Sequence, residues 1–176
     1  METKEKLLER NKLIIEEHRK LALFPPIFNS QNDECYVLNP NRYNCYAYAM
    51  QMKMPLEPKG SNYWPGFLTK PEMTQEDLLT EEGLTEGFMR DCKALGLMCY
   101  EDQYNTNYNS GNNTYKIRII RYKKGAEFHF TRLDKDRHWS HMSGWGVKPD
   151  ICYSLPPEYS ENRSKVFEKA FVIERW

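Results

Sequence analysis

Apolar residues recur at helical spacing among charges at the start of the chain. Leu7, Leu8, Ile14, Ile15, Leu21 and Leu23 predict an amphipathic helix over 3–23, stopped by Pro25-Pro26. Residues 27–44, with Asn29, Ser30, Asn32, Asp33, Asn39, Pro40 and Asn41, read as loop. Asn44 is a good N-cap and no Gly or Pro follows until Pro55, so a helix of about two turns should begin at Cys45. Ala47 and Ala49 would let that helix press closely on another element. Prolines and glycines break 55–72 into an irregular surface segment carrying Tyr63 and Trp64. Thr74-Gln75-Glu76-Asp77 has the form of a capping box, with Asp in place of Glu or Gln, and opens a short helix to Leu79. A further helix over 85–95 puts Phe88, Cys92 and Leu95 on one face, with Gly96 placed to end it.

The period then changes. Residues 97–100 read as a short strand and 103–113 as a polar loop. Over 115–122, Ile117 and Ile119 alternate with Lys116 and Arg118, which predicts a strand with one wet face. Gly125 to Gly146 alternates on both sides of Asp134-Lys135-Asp136 and reads as a β-hairpin, giving a three-stranded meander. A strand at 151–155, a helix over 160–169 and a closing strand over 171–176 complete the reading. The pattern predicts an α+β fold in a single domain, 1–176, with 1–24 as an N-terminal helical extension that caps the domain or serves as a partner-binding arm.

The length of 176 residues is enough for one well-buried core. Net charge is zero, which leaves no electrostatic footprint for nucleic acid or an anionic membrane. No apolar run is long enough to span a bilayer, and the charged start lacks the apolar core of a secretory signal. The expected location is therefore cytoplasmic, with release by a non-classical route, or as an effector or phage product, as alternatives. Five cysteines at irregular spacing fit reduced thiols better than a disulfide framework.

The hairpin holds three of the four histidines. If Leu133 and Arg137 close a three-residue turn, His129 lies directly opposite His141 on one face, and His138 pairs with Arg132 on the other. Cysteine is a nucleophile as the thiolate, which a helix N-terminus and a neighbouring imidazole both favour. Of the five cysteines only Cys45 follows an N-cap, and the first-turn N–H groups could serve as an oxyanion hole. Cys45 is thus the candidate nucleophile, His129 the general base and acid, and His141 the residue that fixes its tautomer. Asp150 is a reserve for the orienting role. Asn44, Tyr46 and Trp139 are candidate substrate contacts, and Tyr63 and Trp145 are further aromatics that could line a cleft.

Asn44-Cys45 followed by HFTRLDKDRHWSH resembles, in order and spacing, the NlpC-type papain-like cysteine peptidases. The resemblance covers roughly Cys45 to Gly146. It implies a papain-like fold, a nucleophile-bearing helix on an antiparallel sheet, and a Cys–His–His triad that hydrolyses amide bonds, typically in cell-wall peptides. The family usually has Asp-Cys-Ser-Gly where this chain has Asn44-Cys45-Tyr46-Ala47, and a shorter interval between its Cys and His. The Asn-Cys pair is also similar to that of the lecithin:retinol acyltransferase relatives, but those place their histidines before the cysteine.

The expected activity is cleavage of a peptide or isopeptide amide through an acyl-enzyme, on a peptide or protein substrate and with no cofactor. Thiol acyl transfer or deamidation on the same triad is the first alternative. A non-catalytic binding module on the same scaffold is the second. A zinc site is disfavoured: Cys-x-x-Cys and His-Glu-x-x-His are lacking, and the hairpin parts His138 from the other two histidines.

Overall fold

Among the described residues six strands form one antiparallel sheet in the order β1-β6-β2-β3-β4-β5. They are β1 (Leu97–Glu101), β2 (Thr114–Tyr122), β3 (Phe128–Leu133), β4 (Trp139–His141), β5 (Asp150–Ile151) and β6 (Lys165–Arg175). Four α-helices accompany them: α1 (Lys4–Leu21), α2 (Glu34–Leu38), α3 (Cys45–Ala49) and α4 (Glu81–Ala94), with 3-10 turns at Pro40–Arg42 and Gln75–Leu78. This computed structural model describes residues 3–22, 26, 33–54, 64–103, 113–122, 128–142, 147–151 and 165–175. The architecture is α+β.

Strand alternation divides the sheet into two faces. Tyr115, Ile117 and Ile119 of β2 share one face with their cross-strand partners Ile173 and Phe171 of β6 and Phe130 of β3. The helices lie there: Phe88 of α4 meets Phe130 and Phe171 at ring distances of 5.8 and 5.2 Å, and Tyr46 of α3 meets Phe130 at 4.8 Å. Helix α1 is fastened to the same body. Asn11 Nδ2 donates to the carbonyls of Phe67 (2.7 Å) and Leu68 (3.3 Å), and His18 Nε2 donates to that of Met50 (2.9 Å).

The opposite face carries Lys116, Ile120, Tyr122, His129, Thr131, Leu133 and His141, all of them buried. The wet face expected for β2 is therefore absent. Lys116 is buried because its ammonium pairs with Asp102 at 2.6 Å; burial of a charge requires such a partner.

Local elements differ from the sequence reading in several places. The stretch read as loop over 27–44 contains α2, which opens after Asp33. Helix α3 is five residues, shorter than two turns. Within the broken segment, Phe67 and Leu68 are core residues rather than surface ones. The Thr74–Asp77 capping box is formed, with Asp77 Oδ2 accepting from the Thr74 N–H at 2.7 Å, but it opens a 3-10 turn. Helix α4 begins at Glu81 because Thr80 caps it through the N–H of Gly83, and Gly96, at φ +75°, ends it as expected.

The helix expected over 160–169 is contradicted from Lys165 onward, where the chain is β6. That strand is hydrogen-bonded on both sides, to β1 and to β2. Two ladders outweigh the local helical preference of Glu168-Lys169-Ala170. Residues 152–155 and 160–164, with Tyr63 and Trp145, lie outside the described residues. Among the described residues no helix is long and apolar enough to cross a membrane.

Candidate active site

Cys45 is the first residue of α3. Asn44 holds extended backbone angles and its Oδ1 accepts from the N–H of Ala47 at 2.9 Å, the cap geometry the sequence suggests. A five-residue helix cannot hold itself in place, so tertiary bonds fix it. Tyr36 Oη donates to the carbonyls of Ala47 (3.3 Å) and Met52 (3.1 Å), and Tyr115 Oη donates to that of Ala49 (3.2 Å). Tyr48 Oη lies 2.6 Å from Ser140 Oγ on β4.

Arg132 ties α3 to the hairpin. Its side chain is fully buried; Nε donates to Asp134 Oδ1 at 2.9 Å and Nη2 to Tyr48 Oη at 3.0 Å. The guanidinium also lies 4.1 Å over the Tyr48 ring and 3.8 Å from Asp33, which is itself paired with Lys53. The sequence reading missed this clamp. Its one signal is an arginine at an inward position of a strand that otherwise buries apolar residues.

The hairpin register differs from the expected one. Leu133 pairs with Trp139 and Arg132 with Ser140, leaving 134–138 outside the ladder. The turn closes by the Asp134 N–H donating to the His138 carbonyl at 2.9 Å, with Arg137 at φ +69°. His138 is therefore a turn residue beside Asp136 and not the partner of Arg132. Continuing the ladder sets His141 beside Thr131, one diagonal step from His129, because the pairing slips by two residues and parity is kept. The two imidazoles stay on one face: His129 Nε2 lies 2.7 Å from His141 Nδ1, with the rings perpendicular at 4.9 Å.

The described β3–β4 pairs are Arg132–Ser140 and Leu133–Trp139, next to the turn. The Cys45 thiol meets β3 at the Phe130 backbone. Backbone groups of Phe130, Tyr46 and Cys45 itself act on the sulfur and favour the thiolate. The thiol thus lies beside the backbone of Phe130, the residue next to His129 along β3; α3 packs on the Phe130 face, whereas His129 and His141 point to the other. The thiol makes no hydrogen bond to either imidazole, since its partners are all backbone groups. Burial of the sulfur is the stronger influence and pushes the Cys45 thiol up to about 11, although the residue as a whole is only half-buried. Burial, with His141 beside it, lowers His129 to about 3. Both groups are neutral at rest near pH 7.

Of the candidate substrate contacts, Asn44 is the helix cap. Tyr46 is a core residue, fully buried, and its hydroxyl donates to Asp91 Oδ2 at 2.8 Å, which takes it away from any substrate. Trp139 is 7% exposed and stacked under the Arg118 guanidinium at 4.0 Å, so it packs rather than lines a cleft. Asp150 is the cross-strand neighbour of His141 on β5, but its Oδ1 caps the N–H of Ile151 at 2.7 Å.

Asp91 is a second residue the sequence did not single out. It is fully buried and accepts from the N–H groups of Gly66 (2.8 Å) and Leu68 (3.1 Å) as well as from Tyr46; burial still raises it to about 7. Among the described residues no group of three His, Cys, Asp or Glu side chains is arranged to hold a metal. Comparison of the chain with family models, characterised proteins and solved structures finds no match.

Proposed function

We propose that this chain is a thiol-dependent hydrolase, with a papain-like arrangement of helix and sheet, that cleaves an amide bond through Cys45, His129 and His141. The observation that carries the reading is the buried 2.7 Å bond between His129 Nε2 and His141 Nδ1, on the strand whose Phe130 backbone meets the Cys45 thiol.

The bond to His141 sets the tautomers. For His129 to accept a proton at Nδ1 it must carry one at Nε2, which then donates to His141 Nδ1, so His141 holds its own proton at Nε2. This direction of donation is the same before and after His129 is protonated. Cys45 Sγ attacks the amide carbonyl carbon while its proton passes to His129 Nδ1. The donors for the tetrahedral oxyanion are the Cys45 and Tyr46 N–H groups, which turn to it from the sulfur as the C–S bond forms, since the Ala47 N–H is held by the Asn44 cap. Collapse breaks the C–N bond, the departing amine takes the proton from His129, and a thioester remains on Cys45. Water then adds to the thioester with His129 again as base, releasing the carboxylic acid and the thiol. With both groups neutral at rest, deprotonation is coupled to attack rather than completed beforehand.

A non-catalytic module on the same scaffold is the second reading, and it draws on that resting state: a protonated thiol and a neutral imidazole with no bond between them. A peptidyl acyloxymethyl ketone separates the two readings, because its reaction needs thiol and imidazole in working geometry. The hydrolase reading expects one adduct, at Cys45, lost in Cys45→Ala and slowed at least about tenfold in His129→Ala. Equal modification of several cysteines, or indifference to His129→Ala, would sink it.

A further inference from the structure

β1 is the outermost strand of the described sheet on its side. The Asp102 N–H donates to the Ala170 carbonyl at 2.8 Å, in the same register that pairs Tyr100 with Val172 and Met98 with Glu174. Antiparallel ladders alternate, so the backbone groups of Leu97, Cys99 and Glu101 point away from β6. Native edges are commonly guarded by lysine, proline, a bulge or a covering element. β1 reads Leu-Met-Cys-Tyr-Glu, has a regular register and carries only Glu101 as a charge. Beside it runs an apolar groove of about 610 Å³ between α4 and β1, where Met89 (42%) and Tyr100 (46%) are exposed. Glu86, Arg90 and Lys93 stand along the α4 wall of this groove. Glu86 and Lys93 have no ion pair among the described residues.

We infer that the outer edge of β1 and the α4 groove form a two-fold interface with a second copy of this chain. This surface is self-complementary, as an isologous contact requires. The chain reverses at Leu95-Gly96 between α4 and β1. The midpoint of Glu86 and Lys93 lies about 7–8 Å back along the helix at ~1.5 Å per residue. Cys99, three residues past Gly96, lies about 10 Å forward along the strand at ~3.3 Å per residue. The two points lie within about 2 Å of one level, so a single axis passes close to both. About that axis the Cys99 residues of two copies exchange a pair of N–H···O bonds, and Met98 of each faces Tyr100 of the other. Met89 enters the opposite groove, and Glu86 of each copy meets Lys93 of the other. Charge reversal across the axis selects a second copy over an unrelated peptide, and the two sheets become one.

Sedimentation velocity and light scattering on the full chain over a range of micromolar concentrations test the inference. A reversible dimer is expected. Lys93→Glu, which sets two like charges opposite each other, should weaken it by about tenfold or more, and Glu86→Lys/Lys93→Glu should restore it. Cys99→Pro removes an outward N–H without touching the β6 ladder and should abolish the dimer while the circular dichroism spectrum is kept. A chain that stays monomeric throughout, a dimer indifferent to Lys93→Glu, or failure of the double reversal to restore association would each overturn the interface.

Discussion

Replacing Arg132 with methionine keeps most of the side-chain volume and removes the charge that joins α3 to the hairpin. Three hydrogen bonds of the guanidinium are lost, to Asp134 at 2.9 Å, to the Tyr48 hydroxyl at 3.0 Å and, at 3.4 Å, to the Tyr48 carbonyl, together with the stack over the Tyr48 ring; the first two are the short ones. Asp134, 1% exposed, then loses the guanidinium that faces it. Hydrogen bonds to charged groups contribute about 1.5–3 kcal/mol each. Breaking one side of a buried pair costs about 3–5 kcal/mol, so the two routes agree on a loss near 4 kcal/mol. Against a typical total of about 5–15 kcal/mol that is a quarter or more of the stability, and it lowers Tm by about 10 °C for a chain of this length. Urea titration should show the midpoint fall with m unchanged. Hydrogen exchange should speed first at the amides of 45–49, since α3 has few bonds of its own. Adding Asp134→Asn to Arg132→Met should recover part of the loss by removing the stranded carboxylate. A loss below about 1 kcal/mol, or strict additivity of the two changes, would refute the clamp.

Acid should destabilise the fold through histidine. His18, lowered to about 4, and His129, lowered to about 3, stay neutral in the fold while the unfolded chain takes up protons below about 6.5. Their stabilisation is complete above that pH and is lost as pH falls toward 4 and 3. His18→Gln should flatten this loss by up to about 1.4 kcal/mol per pH unit in urea titrations below pH 6; an unchanged slope would contradict the assignment. Asp91 works in the opposite sense: raised to about 7, it keeps its proton in the fold, so its contribution declines as pH rises from about 4 to 7. Tyr46→Phe, which removes a donor to the Asp91 carboxylate, should therefore cost about 1–2 kcal/mol at pH 8 and less at pH 5. An equal cost at both would leave Asp91 without that role. Gly87→Ala should destabilise by about 1–3 kcal/mol in a thermal melt, because a Cβ there would come within 2.5 Å of the Pro65 carbonyl oxygen; a neutral result would mean that the 64–69 segment can move aside.

Signals carried by neighbouring residues were readable in the chain. Asn44 as the cap of Cys45, the Thr74–Asp77 box, Gly96 and the alternation of the hairpin are local chemistry, and each appears in the structure. The register was not readable, because the turn Asp134–His138 is set by a bond from the Asp134 N–H to the His138 carbonyl and a left-handed Arg137, which a charged tripeptide does not announce. The histidine pair survived that error because a two-residue slip keeps parity. β6 was misread at its start because its partners lie at 97–101 and 114–122, far away in sequence. Lys116 looked wet because its partner, Asp102, lies between the strand read at 97–100 and the polar loop read at 103–113, where nothing local marks it as buried. Tyr46 and Trp139 looked like cleft residues because composition gives an aromatic ring no address.

The measurement that bears most directly on the central claim is the intact mass of the chain after mixing with a peptidyl thioester at neutral pH. The account predicts one acyl group per chain, mapped to Cys45 and then lost to water, absent in Cys45→Ser. Acyl loss should be much slower in His129→Gln, and in His141→Ala it should slow with an altered pH profile. Acylation spread over several cysteines, or a Cys45 thioester whose formation and hydrolysis are indifferent to His129, would contradict it.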